Sequence, residues 1–210
     1  MIKKLFRSLQ KEDKDLQTYL NNKEAVDQYL EYLSWGTHLP VAHVVKQNNI
    51  RKYQEAYQYQ VFVETGTFLG DMVEAQKAHF KKIISIELGE DLYQKAVERF
   101  KNDAQVSLLQ GDSGIMLKQV VQDIDEAALF WLDGHYSSGI TAKSDKNTPI
   151  VEELKTILNS PIAHGILIDD ARHFIGKDDY PSIDEICFLV KENSPQRKVE
   201  VADDIIRIMP

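Results

Sequence analysis

This chain of 210 residues contains a single cysteine, Cys187. Intramolecular disulfides and thiolate zinc sites are therefore excluded, and a reducing compartment fits. Cys187 falls in an apolar helix-like stretch and is expected in the core. The chain also lacks any apolar run approaching the length of a membrane span. Its first residues, Met-Ile-Lys-Lys-Leu-Phe-Arg, are basic but are not followed by the apolar segment of a signal peptide, so a cytoplasmic location is expected. Basic residues are outnumbered, 25 Lys and Arg against 33 Asp and Glu, for a formal net charge of -8. That balance argues against an extended nucleic-acid-binding surface.

The chain does contain a hydrophobic fraction of 43%, enough for a full core. Residues 1–60 are richer in Gln, Tyr, Lys and Glu than the remainder and show helical apolar spacing at Leu16, Tyr19 and Leu20 and again at Ala25, Tyr29 and Leu33. They are read as a helical N-terminal extension, with a domain boundary near Gln60. Within it, the loop Ser34-Trp35-Gly-Thr-His38-Leu-Pro40 is expected to anchor the extension to the sheet domain through Trp35 or, alternatively, to form part of a substrate wall.

From Val61 onward, five short apolar runs each end in polar or acidic residues. Val61-Phe-Val-Glu64-Thr-Gly66-Thr67-Phe-Leu-Gly70 reads as strand, Gly-rich turn and helix start, where glycines admit close backbone approach and a helix N-terminus offers N–H groups. Lys82 to Glu87 ends in an acid 23 residues after Glu64, near the ~20-residue spacing at which an acid in dinucleotide folds binds ribose hydroxyls. Val106 onward ends in Gly111-Asp112-Ser113, Ala128 onward in Asp133-Gly134-His135, and Gly165 onward in Asp169-Asp170. Helix-like segments alternate with these runs, which implies parallel strands with right-handed crossovers and all strand C-termini on one edge. The acids then share one crevice.

Helix signals support the alternation. Thr148-Pro149 caps a helix over 150–158, and Ser182 with Glu185 fits a capping box for a helix over 183–191. Lys198 to Ala202 and Ile205 to Met209 flank Asp203-Asp204 as a terminal hairpin.

On Glu64-Thr-Gly66-Thr-Phe-Leu-Gly70, Glu87, Gly111-Asp112-Ser113 and Leu132-Asp133-Gly134, the chain resembles the class I S-adenosylmethionine-dependent methyltransferases over roughly residues 60–210. The resemblance implies a Rossmann-like seven-stranded α/β sheet, mostly parallel, closed by a C-terminal antiparallel hairpin. It implies S-adenosylmethionine (SAM) as cofactor, with Glu64, Gly66, Thr67 and Gly70 near its methionine part. Glu87 would hold the ribose, Gly111, Asp112 and Ser113 would lie near the adenine, and Asp133 would also border the cofactor. More narrowly, Val63-Glu-Thr-Gly66, Leu132-Asp-Gly134 and Ile168-Asp-Asp170 look like the macrocin-type sugar O-methyltransferases. That likeness implies a divalent metal, Mg²⁺ or Mn²⁺, on Asp133, Asp169 and Asp170.

Residue chemistry bears on these roles independently. An acid at position 87 can accept two ribose hydroxyls. Three clustered carboxylates repel unless a proton or a cation lies between them, and oxygen ligands suit Mg, Ca or Mn. In the competing arrangement Asp133 touches the cofactor, Asp169 or Asp170 caps a loop, and there is no metal; Asp112 can likewise serve only as a turn residue. His135 stands where the macrocin-like pattern has a second acid, and its imidazole can act as general base, bind metal or brace the loop. His173 is the reserve base, and His164 is placed at the surface. Residues 136–143 read as a mobile lid or substrate loop, in which Lys143 meets an anionic acceptor or is simply a solvated charge.

The expected activity is methyl transfer to a hydroxyl of a small acceptor, such as a sugar or glycan. Asp133 and His135 are the catalytic pair, with no nucleic-acid partner, and a homo-oligomer is compatible with the sequence. A metal-independent N- or O-methyltransferase and a non-catalytic cofactor-binding protein acting through its N-terminal helices are the alternatives.

Overall fold

The computed structural model describes residues 40–134 and 148–210. Trp35, His38, His135 and the segment 136–147 lie outside the described residues. The sheet-bearing unit runs from Gln47 to Pro210. In helix α1 (His43–Tyr57), Ile50 is fully buried in the same core cluster as Phe62 and Leu129.

Seven strands form one sheet: β1 (Val61–Thr65), β2 (Lys82–Glu87), β3 (Val106–Gln110), β4 (Ala128–Leu132), β5 (Gly165–Ile168), β6 (Lys198–Ala202) and β7 (Ile205–Met209). Their order is β3-β2-β1-β4-β5-β7-β6. β1 is parallel to both β2 and β4, and β7 pairs antiparallel with β5 and β6. Helices α2 (Asp71–Gln76) and α3 (Glu90–Phe100) connect β1, β2 and β3. Helices α4 (Ser113–Asp123), α5 (Ile150–Leu158) and α6 (Ile183–Asn193) follow β3, β4 and β5.

The period of two along each strand sorts the core into two layers. Phe62, Ile83, Leu129, Trp131 and Leu167 pack with Ile50, Val73, Ala96 and Phe100 from α1, α2 and α3. Val63, Ile84, Phe130, Ile166 and Ile206 pack with Leu117, Leu154, Ile157, Ile186 and Val190 from α4, α5 and α6. Crossovers therefore change sides at the junction of β1 and β4, which opens the crevice at their C-terminal ends.

Most local signals act as their chemistry requires. Ser182 Oγ accepts from Glu185 N, and the Glu185 carboxylate accepts from Ser182 N at 2.7 Å, completing the capping box of α6. At the start of α5 the Ile150 amide donates to Thr148 Oγ1 at 3.3 Å, but Pro149 is the N-cap and no side chain caps the helix, so the expected cap at Thr148 with Pro149 in the first turn is displaced by one residue. Asp203 and Asp204 carry φ of 53° and 59°, the two positive values of the tight turn that matches strand twist. Their carboxylates offset that strain by pairing with Arg207 and Arg172, respectively.

Two further expectations are corrected. His164 is fully buried, not at the surface. Its Nδ1 accepts from Ala128 N at 3.1 Å, its Nε2 bonds Ser160 Oγ at 2.9 Å, and burial lowers its pKa to about 4. Cys187 is half-buried on α6, while Ile186 and Val190 carry the core contact.

Candidate active site at the strand C-termini

The Gly-rich turn after β1 is held by its own chain. Gly66 N and Thr67 N donate to Ile86 O, Phe68 N to a Glu87 carboxylate oxygen at 2.8 Å, and Gly70 N to Thr67 O. Gly66 has φ of +88°, and a Cβ there would lie 2.6 Å from the Asp133 carbonyl oxygen. Only glycine lets the β1 turn pass this close to the end of β4. Gly70 ends the turn in the left-handed region as the N-cap of α2.

Glu64 sits one residue before the end of β1, in register with Ser85 on β2 and Trp131 on β4. It is buried, and Ser85 Oγ donates to its Oε2 at 2.5 Å. Thr67 Oγ1 lies 2.6 Å from Ser85 Oγ. With Ser85 donating to the carboxylate, its oxygen is left to accept from Thr67. Thr67 is thus placed behind Glu64 in a buried relay. Burial pushes Glu64 up to about 8, with Asp133 and Glu87 adding to the rise and Ser85 opposing it.

Glu87, also buried, receives Phe68 N on one oxygen and Gly89 N on the other, both at 2.8 Å. It therefore ties together the turns after β1 and β2. Each oxygen keeps a further lone pair for a hydroxyl. Asp112 caps α4, its Oδ1 accepting from Gly114 N at 2.8 Å, directly after Gly111 and before the buried Ser113. This is the turn role weighed for it above, and it leaves the second oxygen out of the cap.

Backbone bonds from Asp133 N to Thr65 O and from Asp169 N to Leu132 O continue the parallel ladder past the strand ends and bring the acids together. Asp133, Asp169 and Asp170 each offer an oxygen, all within 4.8 Å of one another, and the latter two are buried. Oxygens bound at ~2.0–2.6 Å to one hard cation span distances up to about this value. The donor set fits such a cation. One positive charge is already present, since Arg172 Nη1 donates to Asp170 Oδ1 at 2.7 Å and pairs with Asp204. Asp170 adopts φ of 55°, and its amide donates to Asp169 Oδ1 at 2.8 Å.

His173 closes the short 3₁₀ turn Ala171–His173, 5.6 Å from the Tyr180 ring, which also meets Phe174 edge-on. Burial pushes Tyr180 up to about 12, and the charges of Asp170 and Asp133 add to it. Tyr180 was not singled out from sequence, because nothing local relates a loop tyrosine to strand-end acids. Glu153 was missed too. Its pKa is raised to about 7 by burial, opposed by the Ser113 and Thr65 hydroxyls. A signal for it existed: Glu153 falls on the buried stripe of Ile150, Leu154 and Ile157.

These shifts set a pH dependence. Glu64 and Glu153 have folded pKa values above the ordinary carboxylate value, so their stabilising effect is full below about 4.5 and is lost as pH rises through about 7 and 8. His164, lowered to about 4, acts oppositely between 6.5 and 4, but one group opposes two. Stability is expected to fall from pH 5 to pH 8 in EDTA, by on the order of 3 kcal/mol per carboxyl. Glu64→Gln should flatten the slope. Denaturant midpoints across this range measure it, and a midpoint rising with pH would contradict the burial argument.

No protein-family model matches the chain, and no curated protein matches it by sequence. Among solved structures it is similar to an O-methyltransferase from Bacillus cereus in complex with SAH, at 13% identity over 95% of this chain and 92% of that one, TM-score 0.55. It is similar to a SAH-bound methyltransferase of Podospora anserina, at 18% identity over 87% of each chain, TM-score 0.54. A third is the O-methyltransferase TomG from Streptomyces achromogenes, involved in tomaymycin synthesis and in complex with SAM, at 13% identity over 94% and 89%, TM-score 0.54. The seven-stranded order, the antiparallel β7 and these likenesses give the chain the Rossmann-like fold of the methyltransferases.

Proposed function

We propose that this chain is a SAM-dependent methyltransferase that acts on a hydroxyl of a small acceptor, with a sugar or glycan hydroxyl as the preferred class and a divalent cation assisting. The observation that carries the reading is the convergence of Glu64, Glu87 and the Asp133–Asp169–Asp170 cluster on one sheet edge at the β1/β4 switch point.

In this reading residues at the C-terminal ends of β1, β2 and β4 would hold the cofactor, which would supply an electrophilic methyl group when bound. Glu64 meets its ammonium. Since Glu64 is raised to about 8 in the free protein, pairing with a cation releases a proton at neutral pH. Glu87 accepts the ribose hydroxyls on the lone pairs its backbone donors leave open. Asp133, Asp169 and Asp170 would hold the cation, which lowers the pKa of an acceptor hydroxyl bound to it. His135, directly after Gly134 in the chain, would take the proton of the acceptor hydroxyl as base. Transfer would form an O–CH₃ bond at the expense of the cofactor's CH₃–S bond, with the proton carried off on the imidazole.

One observation favours a metal-free variant: Arg172 already neutralises Asp170. Methyl transfer unaffected by EDTA would select it.

The reading is tested by titrating SAH into the protein in a calorimeter and assaying methyl transfer to hydroxylated sugars. Binding with proton release is expected. Gly66→Ala should weaken it by about 10- to 100-fold, the equivalent of the ~1–3 kcal/mol cost of a strained φ that only glycine adopts freely. Absence of SAH binding by the wild type would overturn the cofactor, and binding without turnover on any acceptor would favour a non-catalytic cofactor-binding protein.

A further inference from the structure

Three side-chain oxygens from three elements meet beneath the turn that follows β4. The point at which a Cβ on Gly134 would lie is 3.2 Å from Thr65 Oγ1, 3.3 Å from Glu153 Oε1 and 3.3 Å from Ser113 Oγ. Thr65 ends β1, Ser113 opens α4 and Glu153 lies in the first turn of α5. All three residues are buried, Thr65 and Glu153 to within 1% of complete burial. Among the described residues Glu153 Oε1 and Thr65 Oγ1 have no hydrogen-bond partner of normal geometry, although the Ser113 and Thr65 hydroxyls lie near enough to oppose the rise in the Glu153 pKa. Each such buried group costs about 1–3 kcal/mol. Apolar residues of similar size would avoid that cost, so the unsatisfied pair calls for an explanation in function.

Location supplies one. The three oxygens underlie Asp133-Gly134, between the turns carrying Gly66 and Asp112. We propose that Glu153 is a positioning residue: with Thr65 and Ser113 it forms a polar clasp under Gly134 that holds the Asp133-Gly134 turn against the ends of β1 and α4. This rests on the cofactor reading above.

A turn fixed in this way favours binding, because a ligand seated on it need not meet the cost of ordering it. Neither proton donation nor charge is essential to the clasp. The carboxyl needs only to reach two hydroxyls that can donate as well as accept. A side-chain amide has the same shape and both capacities, whereas a thioether of similar length has neither.

The test compares Glu153→Gln, Glu153→Met and Thr65→Val with the wild type by SAH calorimetry and thermal unfolding. Glu153→Met and Thr65→Val are expected to unfold at or above the wild-type temperature, since each removes an unsatisfied buried oxygen. They are expected to bind SAH at least about 10-fold more weakly, one 1.4 kcal/mol step. Glu153→Gln should stay within about 3-fold of wild-type affinity. Wild-type affinity in Glu153→Met would overturn the clasp, as would equal weakening in the Gln and Met variants. If the wild type itself binds no SAH, the cofactor reading fails separately. Amide hydrogen exchange at Asp133 and Gly134 then decides the clasp: faster exchange in Glu153→Met than in Glu153→Gln supports it, and identical exchange rejects it.

Discussion

Asp169→Asn is expected to lower turnover by more than about 100-fold while leaving SAH affinity within a few-fold of wild type. Groups that merely support a metal ligand typically cost ~10- to 100-fold when removed, and a direct ligand should cost more. Asp169 is buried, and its Oδ1 accepts from the Asp170 amide, so the substitution removes one negative charge while keeping size and hydrogen-bonding capacity. The cluster also sits on the β5 side of Asp133, away from the Glu87 contacts after β2. Cofactor affinity and metal dependence should therefore separate. Dialysis against EDTA should reproduce the loss in the wild type, and added Mn²⁺ should restore it. Full activity in EDTA together with full activity of Asp169→Asn would leave Arg172 as the cation of this cluster and select the metal-free variant.

His135→Ala should lower turnover by about 10²- to 10⁴-fold, the range for loss of a general base, with SAH affinity retained. Wild-type activity should rise with pH through the imidazole pKa, because only the neutral ring accepts the acceptor's proton. His135→Asp places at this position the acid of the macrocin-like pattern and is expected to recover part of the loss, with the rising limb moved to lower pH. Unchanged turnover in the alanine variant would pass the role to His173, which lies on the 3₁₀ turn after Asp170 and beside Tyr180. Measuring pH profiles for both variants separates a base from a residue that only braces the turn, since bracing leaves the limb where it was.

Local chemistry made much of the fold readable. β1, β2, β4 and β5 are runs of nearly unbroken apolar residues because parallel strands are covered on both faces, and each run stops where a polar turn begins. The Ser182–Glu185 box and the Asp203-Asp204 turn act between neighbours in sequence, so their geometry follows from a few residues. Candidate acids were readable for the same reason: Asp133, Asp169 and Asp170 each follow an apolar run, and the parallel order of those runs brings their ends to one edge.

Other features depended on contacts distant in sequence. Sequence showed Glu87 only as the acid ending an apolar run, whereas in the fold its two oxygens bind amides of Phe68 and Gly89 in separate turns. His164, just before a strand, is enclosed because Ala128 and Ser160 present a donor and a hydroxyl to its two nitrogens. Arg172 reaches Asp204 only because β7 is inserted between β5 and β6.

By itself, then, the sequence determined the alternation of strands and helices, the hairpin and the set of strand-end acids, since apolar periodicity and capping chemistry are local. Tertiary structure alone decided which of those groups are buried, protonated or paired: Glu64 raised by burial against Ser85, Asp170 joined to Arg172, and Glu153 set beneath Gly134. Desolvation and charge pairing depend on what surrounds a group in space, and those neighbours come from strands and helices that the chain order keeps far apart.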